Sequence, residues 1–229
     1  MPALLAPDDW NALALTMRLA AVSTALLLVL GTPLAWFLAR SRFRAKALVE
    51  AAVALPLVLP PTVLGFYLLL ALGPQGWVGQ AAETLGIGPL AFTFSGLVIG
   101  SVLYSLPFVV QPLQHAFAGI PPAQLEAAAV LRASPRDRWL RIVWPLARPG
   151  YWTAAVLGFA HTLGEFGVVL MIGGNIPGRT RVLSVALYDH VEALDYARAH
   201  RLAGVLLALS FCLLVAVFAL RRKPWRWTV

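Results

Sequence analysis

Apolar residues in this chain gather into long runs instead of alternating with polar ones at the period of a soluble helix or strand. About 20 mostly apolar residues cross the roughly 30 Å of bilayer hydrocarbon. Five stretches qualify, at about 11–39, 47–72, 90–117, 150–173 and 201–220. The last is the cleanest, with no charge from Leu202 to Leu220. The second is the least regular. Its Leu55-Pro56-Leu57-Val58-Leu59-Pro60-Pro61 run cannot continue as α-helix, because proline lacks the backbone donor and clashes with the preceding turn. Broken backbone persists at membrane depth only where protein or a water-filled cavity satisfies it. Pro56, Pro60, Pro61 and Gly65 are therefore candidates for a pathway or gate, the plainer alternative being a proline kink in a packed helix. The pattern predicts an all-α, polytopic membrane protein with a five-span core over 11–220, in a single domain covering 1–229.

Composition sharpens this. Hydrophobic residues make up 60% of the 229 residues and charged residues 12%, where soluble domains carry roughly 45–50% and about 25%. A soluble enzyme, a disordered protein and a disulfide-built secreted module are excluded; the lone Cys212 lies inside an apolar run. The net charge of +8 invites a nucleic-acid reading, but its placement follows the membrane. Thirteen of the eighteen basic residues fall in three clusters, Arg40–Lys46, Arg132–Arg148 and Arg221–Arg226, which lie on one side if there are five spans. Basic loops face the cytoplasm, so the N-terminus is expected outside and the C-terminus inside, with no nucleic-acid partner. Asp8 and Asp9 precede the first basic residue, Arg18, which argues against a cleaved signal peptide. The tail Lys223-Pro224-Trp225-Arg226-Trp227 reads as an interfacial anchor.

Two outer loops exceed mere connectors. Residues 73–89 contain a weakly amphipathic stretch around Trp77–Leu85. Residues 173–200 carry an Asn175-Ile176-Pro177-Gly178 turn signal and a surface helix expected near Leu183–Ala193. The basic loop at 119–150 is richer still. Pro121 and Pro122 suit a helix start, and Gln124–Leu131 reads as a short helix. Ser134-Pro135-Arg136-Asp137 then supplies an N-cap, a proline at the first helical position and an acid three residues after the cap. A second helix is expected from Pro135 to about Val143, halted by Pro145. On physics alone this block is either an amphipathic interfacial loop or a docking element for a partner protein.

The same loop resembles the signature of permease subunits in ATP-binding-cassette importers: Glu-Ala-Ala, three residues, Gly, nine residues, Ile-x-Leu-Pro. Here Glu126-Ala127-Ala128 is followed by Arg132 at the glycine position, then by Ile142-Val143-Trp144-Pro145. The spacing survives; Arg132 and Trp144 depart from Gly and Leu. Leu55 to Gly65, Leu163-Gly164-Glu165-Phe166-Gly167 and Gly174 to Arg181 resemble the molybdate branch. Arg179 departs from the acidic residue usual after Pro-Gly, and sulfate permeases share a related Gly-Glu-aromatic-Gly element. The likeness runs from about Trp10 to Leu220. It implies a permease with a cytoplasmic coupling block at 119–150, in the inner membrane. It also implies a separate ATP-binding-cassette ATPase subunit, a substrate-binding protein and a homodimer as partners, with a molybdate, tungstate or sulfate oxyanion as cargo. Glu126, Ala127, Ala128, Arg132, Ile142 and Pro145 would couple to the ATPase.

No phosphate-binding Gly-x4-Gly-Lys-Ser/Thr loop exists in the sequence, and the four histidines have no ligand-like spacing. The chain is expected to be no enzyme and to carry no metal or other cofactor. Glu165 is the one acid well inside a span, with His161 one turn away, and an ionisable group at that depth is a functional candidate. A proton relay through the pair would make the protein a secondary transporter. The alternative is a satisfied structural group near a gate, hydrogen-bonded across spans beside Gly164 and Gly167. A membrane scaffold without transport is the third reading, against which the proline-broken second span speaks.

Overall fold

A computed structural model describes residues 5–221; the tail read as an interfacial anchor lies outside the described residues. Among those residues the chain is all helix, without strands. The first helix, α1 (Pro7–Arg40), is followed by α2 (Lys46–Ala54), a 3-10 turn at Leu55–Leu57 and α3 (Pro61–Leu72). The short α4 (Trp77–Thr84) leads into α5 (Phe94–Ala118), then α6 (Pro122–Val130) and α7 (Pro135–Arg138). A π-helical turn, Trp139–Val143, joins α7 to α8 (Trp144–Leu163). The last elements are α9 (Gly167–Gly173), α10 (Leu183–Glu192) and α11 (Tyr196–Arg221).

Among the described residues four helical stretches are long and apolar enough to cross a membrane: α1, Pro61–Thr84, α5 and Tyr196–Ala216 of α11. The helix from Pro135 to Leu163 and α9, bent by 61° at the break between them, make a fifth if taken as one span. The second span, expected at 47–72, is discontinuous, divided among α2, the 3-10 turn and α3, and the apolar candidate there is shifted to Pro61–Thr84. Its α3, at about 1.5 Å per residue, is far shorter than the hydrocarbon it would have to cross. Pro60 and Pro61 stand at its N-cap and first position, where a missing donor costs nothing.

The centre is a triangle of α1, α5 and α8. At the end carrying α6 and α7, its core joins Leu27, Leu38, Val109, Leu113 and Phe117 to Val143 and Ala147. Gly158 lets α8 approach closely, since an added Cβ would stand 2.6 Å from a Val109 methyl. Toward the other end, α9 wedges between α3 and α5. Gly100 gives it room there, because a Cβ would meet the Ile172 side chain at 2.5 Å. The Gly96-x3-Gly100 pair of α5 thus seats a neighbouring segment of the same chain. At that end α10 lies over α1 and α11. It is more than a surface helix: Leu183, Val185 and Ala186 are buried, and the Leu183 amide donates to Thr16 Oγ1 at 2.8 Å. Helix α11 exposes Leu207, Phe211 and Val215, a face suited to lipid or an apolar partner.

Candidate functional site: a helix block and two opposed breaks

The α6–α7 block follows its sequence logic locally, with one correction. Helix α6 ends in a Schellman motif, in which the Ala133 amide reaches the Ala128 carbonyl at 2.9 Å and the Arg132 amide reaches Ala129 at 3.0 Å. That motif needs a left-handed residue, and Arg132 supplies it at φ +55°. The turn therefore keeps a glycine-type conformation without a glycine. Ser134 caps α7 as expected: its Oγ accepts the Asp137 amide at 3.1 Å and donates to the Asp137 carboxylate at 2.6 Å.

Pro145, however, does not halt the second helix. The Trp144 amide bonds five residues back to Trp139, and this π register carries the backbone across the position where proline offers no donor. The chain runs helically from Pro135 to Leu163. Ala128 and Ile142, distant parts of the loop signature, come together on one small cavity that Arg138 and Arg141 also line. Glu126, Ala127, Arg132 and Pro145 are exposed, as are Val130 and Leu131 at 82% each. Exposed leucine and valine beside a charge make a surface ready to seat on another protein.

What ties this block to the spans was not legible as a motif. Trp139 lies edge-on to Trp36 of α1, ring centroids 5.2 Å apart, and also meets Phe117 of α5 at 5.9 Å. Trp36 and Phe117 touch each other at 5.3 Å. Arg40 lies over Trp36 and donates to the Ile120 carbonyl at 3.0 Å. A displacement of the block must therefore carry the ends of α1 and α5 with it, because packed aromatic clusters do not deform continuously. The only available signal was aromatic residues at 36, 117 and 139 flanking basic clusters.

The two broken spans face each other. Gly65 of α3 sits against Met171 and Val168 of α9, where a Cβ would fall 2.8 Å from Met171 Cβ. Reciprocally, a Cβ on Gly167 would fall 2.8 Å from Pro61 Cβ. Pro61, Gly65 and Gly167 are thus brought together; Pro56 lies in the 3-10 turn and Gly164 is exposed without close neighbours. Above the break, Ser184 of α10 donates to the Glu165 carbonyl at 2.5 Å. The Asn175–Arg181 turn is pinned to α10 by Asn175 and Arg181, both of which reach the Asp189 carboxylate.

The Glu165 side chain departs from both expectations. It is buried at 4% exposure, and neither carboxylate oxygen has a hydrogen-bond partner among the described residues, although the Ser101 hydroxyl is turned toward it. It is not the satisfied structural group expected from its glycine neighbours. His161 is not its partner either. The helix ends at Leu163, and His161 Nδ1 pairs with Ser105 Oγ at 2.9 Å while its ring stacks on Phe108 at 3.9 Å.

The family model for the binding-protein-dependent transport system inner membrane component matches residues 31–223. The chain belongs to that family. Over 218 residues it is 60% identical to the molybdenum transport system permease protein ModB of Azotobacter vinelandii, covering 95% of this chain and 96% of that one. The Escherichia coli K12 ModB is 34% identical over 82% of each chain, and a probable sulfate transport system permease protein cysT of Nephroselmis olivacea is 35% identical over 93% and 74%. The fold matches a crystal structure of a bacterial alginate-importing ABC transporter with a TM-score of 0.73, covering 96% and 81% of the two chains at 18% identity. This permease is accordingly an inner-membrane component of an ABC importer and not itself an ATPase.

Proposed function

We propose that this permease is the membrane subunit of an ATP-driven molybdate importer. In this reading, residues 1–229 form one permease domain that works as a homodimer with two ATP-binding-cassette subunits. The N-terminus and the α4 and α10 end lie outside, where a substrate-binding protein delivers the oxyanion. The observation that carries the substrate is the end-to-end 60% identity to the Azotobacter molybdenum permease, against 35% for the sulfate relative. That margin favours molybdate, with sulfate and tungstate as the weaker alternatives.

The geometry supports a mechanical coupling. Helix α6, with Glu126, Ala127 and Ala128, seats on the ATPase, and Arg132, Ile142 and Pro145 shape its link to α8. When two ATPases close, α6 moves with them, and the Trp36–Phe117–Trp139 cluster conveys that displacement to α1 and α5. The π turn conveys it along α8 to the break at Gly164–Gly167, which is packed on Pro61 and Gly65 and forms the gate with Pro56 and Pro60. Two discrete packings of these breaks would alternate access. The absence of a Glu165–His161 bond weighs against a proton relay.

The test is uptake by proteoliposomes holding the permease and its ATPase, supplied with molybdate-loaded binding protein. ATP-dependent molybdate accumulation, competed by tungstate more than by sulfate, is the expected result. Accumulation driven by a pH gradient without ATP would contradict it.

A further inference from the structure

A cleft of ≈ 660 Å³, open-sided, lies between α5, α8 and the 3-10 turn of the second span, which contributes Leu57. Its volume has room for a tetrahedral oxyanion together with several waters, each about 30 Å³ of liquid. Proline keeps its walls apart: Pro107 and Pro112 of α5 and Pro149 of α8 all border it. The two helices meet at its margin, where Gly150 packs on Ala116.

The polar chemistry of this cleft is one-sided. No carboxylate lines it. Two backbone carbonyls of lining residues accept from side-chain donors. Thr153 donates its hydroxyl to the Pro149 carbonyl at 3.0 Å. His115 Nδ1 lies 2.8 Å from the Gln111 carbonyl, and because a carbonyl only accepts, that nitrogen carries the proton. The nearby acid, Glu50, is engaged by Gln114 at 2.7 Å and by Lys46 at 3.7 Å. Among the described residues the Gln111 side-chain amide, which lines the cavity, has no protein hydrogen-bond partner, so its N–H groups are available to donate to an occupant.

Resting on the importer reading above, we infer that this cleft is an oxyanion subsite on the translocation pathway. Gln111 donates to the passing anion, while Thr153 and His115 mask the carbonyls around it. A neutral amide suits the task. Conduction needs binding favourable enough to admit the anion and weak enough to release it, and an arginine here would hold it.

The test measures molybdate imported per ATP hydrolysed by the permease–ATPase complex with loaded binding protein. Gln111→Asp, which turns a donor into a like charge, is expected to lower that ratio at least tenfold while stimulated hydrolysis persists. Gln111→Asn should stay within threefold of the parent, and Thr153→Val, which uncaps Pro149, should lose about threefold. Gln111→Leu, expected to lose about fivefold, serves if the aspartate variant does not assemble. Equal ratios for the parent, Gln111→Asp and Gln111→Leu overturn the subsite alone. A parent complex that imports no molybdate overturns the importer reading and this inference with it.

Discussion

At Arg132 a side chain occupies a left-handed backbone position that glycine fills without strain. The cost of such a conformation for an L-residue is about 1 kcal/mol. Arg132→Gly is therefore expected to stabilise the block by about that amount, seen as a higher melting temperature with uptake retained. A lower melting temperature would show that the guanidinium makes compensating contacts. Ser134→Ala removes the cap of α7 and should cost about 1 kcal/mol, read as faster amide exchange at Asp137. Glu165 is the opposite case, a buried carboxyl group without a hydrogen-bond partner among the described residues, and burial of an unpartnered polar group is costly. Glu165→Gln keeps the shape without that liability, so it should preserve ATP-driven uptake and not lower the melting temperature. Loss of uptake would restore a proton-carrying role.

Elements show where sequence patterning succeeds and where it stops. The apolar runs located the candidate spans at α1, α5, α11 and the bent α8–α9 pair, but the second run, 47–72, overlaps only part of the candidate at Pro61–Thr84; Pro60-Pro61 marked the break there, because proline acts locally. The Ser134 cap was legible for the same reason. Pro145 misled, since a proline need not stop a helix: Pro33, Pro107, Pro112 and Pro149 also lie inside helices here, and at Pro145 one π turn precedes the missing donor, a turn that no local pattern announces. Pro145→Ala restores a donor and lets the α register form. Removing one residue from the turn rotates α8 by about 100° relative to the block, so uptake should fall roughly tenfold while basal ATP hydrolysis continues. The facing of α3 and α9 was equally hidden, since Gly65 and Gly167 are about a hundred positions apart and meet only in the fold. Gly167→Val should jam a side chain into Pro61 and abolish uptake, and Gly164→Val, at an exposed position, should be far milder.

For the whole molecule, the opposed ends of the bundle do different work in the proposed function: α6 and α7 at one, α10 and the Asn175–Arg181 turn at the other. Cys212 is the only cysteine, so a Cys212→Ser background allows each end to be labelled separately. A cysteine at Val130 should react with impermeant maleimide only from the cytoplasmic side, and one at Gly178 only from outside; the reverse would invert the topology. The basic clusters are the sequence signal on which that orientation is proposed, and the Glu126-Ala127-Ala128 spacing is the signal on which the coupling block is proposed. The aromatic weld that links block to spans was not, because Trp36, Phe117 and Trp139 converge from three separate helical segments. The central claim is that ATP hydrolysis by a partner drives molybdate across this permease through α6. Its most direct measurement is the molybdate imported per ATP hydrolysed by reconstituted complexes of the parent and of Glu126→Lys. The account predicts stimulated import for the parent and a ratio lower by at least tenfold for Glu126→Lys; an unchanged ratio would contradict it.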